Sequence, residues 1–293
     1  MKIIDSFMFF DEKMMLDIRL NILNQHVSHF VICESTYNHK GKPKKLNFNI
    51  NDYSKFKNKI SYIVLDKEPG NLRKIEKGDT ENTQNSKILD NAVSRENYQR
   101  NFASNALENF SDEDLILIND VDEIPNLENF KYRNKVTVFK QKMIYYKFNL
   151  MQPNFTWYGS KICKKKHLES PQWLRNIKSK KYPFWRLDYL FSKKKYRDLG
   201  FVENGGWHFT NIKSIDQIHF KMKNFLHHLE YEKSGLELED LKKIRDEKRI
   251  LYNYNVDQKG YKWSDDTKLI TLENNLLPKY ILKNIDKYNE WLD

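Results

Sequence analysis

The chain has 293 residues, 39% hydrophobic and 14% aromatic, with 51 Lys and Arg against 40 Asp and Glu for a formal charge of +11. This content supports a sizeable core and excludes a disordered chain, while the length suits one large domain. The cationic surplus favours anionic partners such as nucleic acid, acidic lipid or a phosphate-bearing substrate. Two cysteines, Cys33 and Cys163, exclude a disulfide framework and a zinc-finger spacing, and point to a reducing compartment.

Residues 2–10 read as a first strand, and neither a secretory leader nor a membrane span is expected, which implies a cytoplasmic location. Residues 12–24 place Met15, Ile18, Leu20 and Leu23 at helical spacing, with Asp11 as the expected N-cap. Residues 29–33 form a second strand that ends at Glu34. Strand, helix and strand in that order imply a parallel crossover unit. Residues 61–65 give a third strand, residues 66–91 a polar loop or flap, and residues 94–110 a helix with Tyr98, Phe102, Ala106 and Phe110 on one face.

A short apolar run, residues 115–118, then delivers Asp120-Val121-Asp122-Glu123-Ile124-Pro125. Pro125 is expected to stop further ladder pairing. Alternate residues of an extended chain point the same way, so Asp120 and Asp122 aim at one spot. Two such carboxylates repel unless a cation lies between them, and hard oxygen ligands suit Mg²⁺ or Mn²⁺ bridging substrate phosphates. Open α/β sheets bind ligands beyond the carboxyl ends of their strands, where this cluster falls. The pattern predicts a metal–nucleotide enzyme on a doubly wound, Rossmann-like sheet. No three-glycine fingerprint follows the first strand, which disfavours NAD. No phosphate-cradling loop is present either, so phosphate handling falls to the metal and basic side chains.

Residues 136–157 change to alternating apolar and aromatic positions, as in strands of a mixed or antiparallel extension. Gly205 and Gly206 then precede Trp207-His208, allowing a tight turn or a close backbone approach. Residues 214–233, 237–253 and 278–292 read as helices.

Four motifs occur in order: Val31-Ile32-Cys33-Glu34-Ser35, the Asp120–Pro125 run, Gly206-Trp207-His208, and Pro278-Lys279-Tyr280-Ile281-Leu282-Lys283-Asn284. Together they resemble the β-1,4-mannosyl-glycoprotein β-1,4-N-acetylglucosaminyltransferase family, glycosyltransferase family 17, over nearly the whole chain. The resemblance implies a GT-A-type, Rossmann-like mixed sheet flanked by helices, with C-terminal helices, in one domain. Residues 1–130 would be its nucleotide-sugar half and 131–293 its acceptor half. It also implies Mn²⁺ or Mg²⁺ at an Asp-X-Asp motif, a UDP-sugar donor, most readily UDP-GlcNAc, and a glycan acceptor. Transfer would invert the donor's α configuration to a β linkage. Animal members are anchored Golgi proteins with cysteine-rich lumenal domains; this chain departs from them, which implies a microbial or viral enzyme with another acceptor.

Within that resemblance, Asp120, Asp122 and His208 are the expected metal ligands, and Asp120, Glu34 and Arg100 the donor contacts. Arg100 is equally placed for an ordinary helix pair with Glu96. Trp207 offers a face for an acceptor sugar. The general base is sought in Glu203, Asp188 or Glu123, with Glu203 preferred for its place before the glycine turn. The competing classes are a metal-dependent phosphodiesterase or nuclease and a non-enzymatic nucleic-acid-binding protein. No dense second acidic cluster supports the first. No zinc-finger or RNP-type motif supports the second, so no specific nucleic-acid partner is expected. The basic surface also allows peripheral contact with an anionic membrane, and the oligomeric state is left open.

Overall fold

Short apolar runs give buried strands, and the computed structural model arranges them in two sheets. It describes residues 1–293 apart from Phe184, Leu187, Tyr189, Leu190, residues 255–261 and Ser264. Strands β1 (Ile3–Phe9), β2 (His29–Ser35), β3 (Ile60–Leu65) and β4 (Leu115–Asp120) are mutually parallel. The inner strands β1, β2 and β4 are buried along nearly their whole length, as strands covered on both faces must be, whereas the edge strand β3 is only partly buried. Two further sets complete the strands. The first is β5 (Glu123–Pro125), β6 (Val136–Phe139), β7 (Gln141–Tyr145) and β8 (Leu150–Trp157). The second is β9 (Lys161–Lys164), β10 (Leu199–Val202), β11 (Gly206–Thr210) and β12 (Ile270–Thr271). One seven-stranded sheet runs β10-β6-β9-β4-β1-β2-β3, with β9 antiparallel to β4 and β6; the other runs β12-β8-β7-β11-β5. The expected mixed α/β architecture is present.

Helix α1 (Lys13–Leu23) buries Met15, Leu16, Ile18, Leu20 and Leu23 against the first sheet. Each such side chain contributes about 1.5–3 kcal/mol of transfer free energy. Asp11 is not its cap. The cap position is Glu12, whose carboxylate instead accepts the Phe10 and Asp11 N–H groups at 3.3 and 3.1 Å.

Two other expectations are corrected. Helix α2 spans Glu81–Phe102, so part of the predicted flap is helical, and a short α3 (Ser104–Leu107) follows it. The first turns of α2 are polar and show no apolar stripe. Thr80 caps them through Thr83 N, and Lys87 fastens them to Asp79 at 2.6 Å. Pro125 does not end pairing either: it lies in β5, opposite Gly206 of β11. The strand is at the sheet edge, where a missing donor is tolerated.

The remaining helices are α4 (Pro171–Asn176), α5 (Ile215–Asn224), α6 (His228–Ser234), α7 (Leu238–Asp246) and α8 (Lys279–Lys283). The predicted helix over residues 214–233 breaks in two because Phe225 is extended, with φ −93° and ψ −173°. A second core gathers Ile218, Met222, Tyr231, Leu241 and Ile244 beneath β7 and β8. Among the described residues, no helix is long and apolar enough to cross a membrane. Cys33 and Cys163 are free and buried, and burial pushes both thiols up to about 12.

Candidate active site

In the first sheet the order β3-β2-β1-β4 places neighbours of β1 on opposite sides, so the chain direction of winding reverses between β1 and β4. Ligand crevices of open α/β sheets form at such a switch point, beyond the strand ends. A cavity of about 320 Å³ opens there, reached by Met8 to Phe10 after β1 and by Asp120, Val121 and Asp122 after β4. Its far wall comes from α5 and the segment after it, from Tyr252 and Tyr254, and from Trp157 of β8.

Asp120 ends β4, and residues 121–122 form a turn into β5. Pairing of β5 with β11 sets His208 opposite Glu123, and Phe209 N donates to Asp122 O at 2.8 Å. That register brings His208 Nε2 to 3.4 Å from Asp122 Oδ1, while Lys221 Nζ of α5 lies 3.7 Å from Asp122 Oδ2. Burial opposes ionisation of Asp122. His208 and Lys221 outweigh it, and the carboxyl is held below the usual range. Asp120 faces other cations: Arg175 at 2.6 Å and Arg100 at 3.1 Å. Its enclosed setting and the Asp122 charge resist ionisation, yet the two guanidiniums hold it below the ordinary value.

Beneath the acidic turn lies a buried ion pair absent from any sequence motif. Arg19 of α1 and Asp5 of β1 are both fully buried and meet at 2.6 and 2.8 Å. The other arm of Arg19 donates to the carbonyls of Asp120 (3.3 Å), Val121 (3.4 Å) and Glu123. Asn119 completes Asp5 at 2.6 Å. One guanidinium therefore gathers the backbone of the whole turn. Lys161, equally buried, donates to the carbonyls of Arg175 and Ile177 at 2.6 Å and so seats the end of α4 that carries Arg175. Burial lowers the Lys161 ammonium to about 7.

The structure brings Asp120, Asp122 and His208 to one cavity. Arg100 lies behind it, bound to Glu96 at 2.7 Å, to Gln172 and to Asp120. Glu34 is fully buried and outside the cavity lining, with Lys44, Tyr62 and the N–H groups of Asn47 and Phe48 as donors. Trp207 faces away from the cavity, because strand neighbours alternate: its N–H binds Leu276 O at 2.9 Å and its ring lies parallel to Phe209.

Glu123 is buried and clasped by Arg175 at 2.6 Å, by Trp157 Nε1 at 2.5 Å and by Asp120 N at 2.9 Å. Glu203 is largely exposed, pairs with Lys140 at 2.6 Å and does not line the cavity. Asp188 is also outside it, held down to about 2 by hydrogen bonds from Arg186 and Lys195. Sequence reasoning missed Arg175, Lys221, Trp157 and Tyr254. No local motif marks them; Arg175 sits in a basic stretch where any cation looks like surface.

Two of the glycines abut the acidic turn and leave no room for a Cβ. At Gly206, φ is +123° and a Cβ would lie 2.1 Å from Ile124 O. At Gly159, a Cβ would lie 1.8 Å from Glu123 Oε1 and 2.3 Å from Trp157 Nε1. Gly206→Ala is expected to cost about 1–3 kcal/mol, read as a lower urea midpoint, because it strains the β5–β11 contact that sets His208 against Asp122. An unchanged midpoint would show that the turn relaxes freely.

The family description for glycosyltransferase family 17 matches residues 1–292. The chain belongs to glycosyltransferase family 17. It is also 25% identical, over 95% of its length, to the human beta-1,4-mannosyl-glycoprotein 4-beta-N-acetylglucosaminyltransferase. The match takes in 52% of that relative, so the chain spans about half the length of the human protein.

The donor set also bears on a divalent ion. Among the described residues, no three His, Cys, Asp or Glu side chains form a ready metal cage. Asp122 and His208 nevertheless make a two-donor set. His208 Nδ1 lies 3.0 Å from the thioether of Met143, which accepts only, so Nδ1 carries the proton. Nε2 faces a carboxylate oxygen at 3.4 Å, so either a second ring proton, as in the ion pair with Asp122, or a bound cation must lie between them. Mg²⁺ and Mn²⁺ are commonly held by few protein ligands plus water and substrate phosphates, so the residues fit.

Proposed function

We propose that this family 17 chain transfers N-acetylglucosamine from UDP-GlcNAc to a glycan hydroxyl, on a GT-A-type scaffold, with inversion to a β linkage. The observation that carries the reading is the acidic turn at the switch point, facing Lys221 and Arg175 across the same cavity. The human relative is an N-acetylglucosaminyltransferase, which supports the donor sugar. Asp122 and His208 would hold Mn²⁺ or Mg²⁺, which supplies charge stabilisation to a departing diphosphate. Lys221 adds a fixed positive charge beside Asp122; burial disfavours its ammonium form, but the Asp122 carboxylate, with Glu12, Asp11 and Asp120, outweighs that and keeps it protonated. Arg175, likewise raised by Asp120 and Glu123 against its burial, stays charged and locks the orientation of both acids. Trp157 stacks on the His208 ring at 4.6 Å and shields it from solvent. Val121 and the Phe9–Phe10 segment close the floor.

A screen of nucleotide sugars by UDP release tests this, with Mn²⁺, Mg²⁺ or excess EDTA and a panel of glycan acceptors. UDP-GlcNAc with Mn²⁺ is expected to give the highest turnover, EDTA a loss of about 10²-fold or more, and the product a β anomer by NMR. Full turnover in EDTA would remove the metal, an α anomer would remove the inverting mechanism, and hydrolysis of nucleic acid without sugar transfer would favour a phosphodiesterase.

A further inference from the structure

Among the described residues, every carboxylate that lines the cavity is engaged. Asp120 is held by Arg175 and Arg100, Asp122 by His208 and Lys221, Glu96 by Arg100, and Glu12 by the Phe10 and Asp11 N–H groups. An inverting transfer still needs a group to take the acceptor proton. We propose that His227, oriented by Glu230, is that general base; the assignment rests on the transferase reading above.

His227 lines the cavity just beyond the break between α5 and α6. Its Nδ1 lies 3.1 Å from Glu230 Oε1. An ionised carboxylate only accepts, so the proton sits on Nδ1 and Nε2 carries the lone pair. This is the tautomer a base requires, fixed by an acid partner as in other carboxylate–imidazole dyads. The other cavity histidines are committed differently: His208 as described, and His39 Nε2 to Gln99 Oε1 at 3.4 Å.

The ring of His227 is further fixed by packing. It lies 5.4 Å from the Tyr252 ring and 5.5 Å from Phe225. The Tyr252 hydroxyl donates to Glu230 at 3.4 Å, and Lys262 adds its charge near the same carboxylate. The hydrogen bond from His227 leads the influences that hold Glu230 below the ordinary carboxylate value, so it stays an anion at neutral pH. Imidazolium formed during the reaction is thereby stabilised, with no proton passing to Glu230.

The step balances simply. The acceptor oxygen forms its bond to sugar C1 as the C1–O bond to the diphosphate breaks and the electron pair leaves with UDP. The acceptor hydroxyl proton goes to His227 Nε2.

The test compares His227→Gln, Glu230→Gln and wild type with UDP-GlcNAc, Mn²⁺ and a glycan acceptor found by the screen. His227→Gln is expected to lose about 10²–10⁴-fold in kcat with donor KM within about threefold. The acid limb of its pH profile should disappear, since that limb reports loss of the neutral ring. Glu230→Gln should keep partial activity and move the acid limb to lower pH, because the anion that favours the imidazolium is gone. Circular dichroism and melting temperature would show both variants folded. Wild-type kcat and an intact acid limb in His227→Gln would overturn the assignment, as would a rise in donor KM alone. An unmoved limb in Glu230→Gln would remove the dyad. If the wild type itself transfers no sugar, the transferase reading falls, and the base assignment with it.

Discussion

Asp122→Asn is expected to reduce sugar transfer by about 10²–10³-fold or more while the protein stays folded. The change keeps the side chain's shape and removes its charge, so Nε2 of His208 at 3.4 Å and Lys221 at 3.7 Å lose their anion. Apparent Mn²⁺ affinity should fall with activity, read by titration of turnover and by direct metal binding. Stability carries a second signature. The folded carboxyl is held below its ordinary value of about 4, so its contribution is present above that value and lost as pH falls through the lower folded one. Asp122→Asn should therefore be less stable at neutral pH and lose less stability than wild type on acidification below about pH 4. A variant with full turnover and unchanged metal response would remove Asp122 from the site.

Arg19→Met should have the largest effect on stability, a loss of about 3–5 kcal/mol, because it leaves Asp5 buried and uncompensated. Burial already pushes the Asp5 carboxyl up despite the guanidinium, the mark of a pair that costs desolvation and fixes placement. The double variant Arg19→Met/Asp5→Asn separates the two roles. It should recover part of the unfolding free energy, since no unpaired charge stays buried. The carbonyls of Asp120, Val121 and Glu123 remain unheld, so kcat should stay depressed. Arg19→Lys, with its charge but no fork, should show the same split. If activity returns in step with stability, Arg19 is only a core ion pair.

The parallel half of the fold was legible because its signals are local. Short apolar runs bounded by polar residues, such as residues 115–118, are too short for a buried helix and suit a buried strand, and α1 shows its stripe openly. The first turns of α2 were missed because a local ion pair from Lys87 back to Asp79 and a distant one from Lys233 to Glu81 support a polar helix that has no stripe to read. The break at Phe225 was missed for a related reason: the apolar pattern continues across it, and the packing of Phe225 on His227, which in turn packs on Tyr252, lies outside any local signal.

By itself the sequence determined the acidic run after a buried strand, the glycine pair before His208, and hence the kind of chemistry expected. These are properties of neighbours along the chain, where spacing fixes direction. Only the tertiary structure decided which charges meet. The register of β5 on β11 set His208 against Asp122, and α4 and α5 delivered Arg175 and Lys221 from distant segments. The same packing enclosed Glu123 and left Glu203 beside Lys140 at the surface. The interaction of two charges depends on their separation and surroundings, and neither is written in sequence distance.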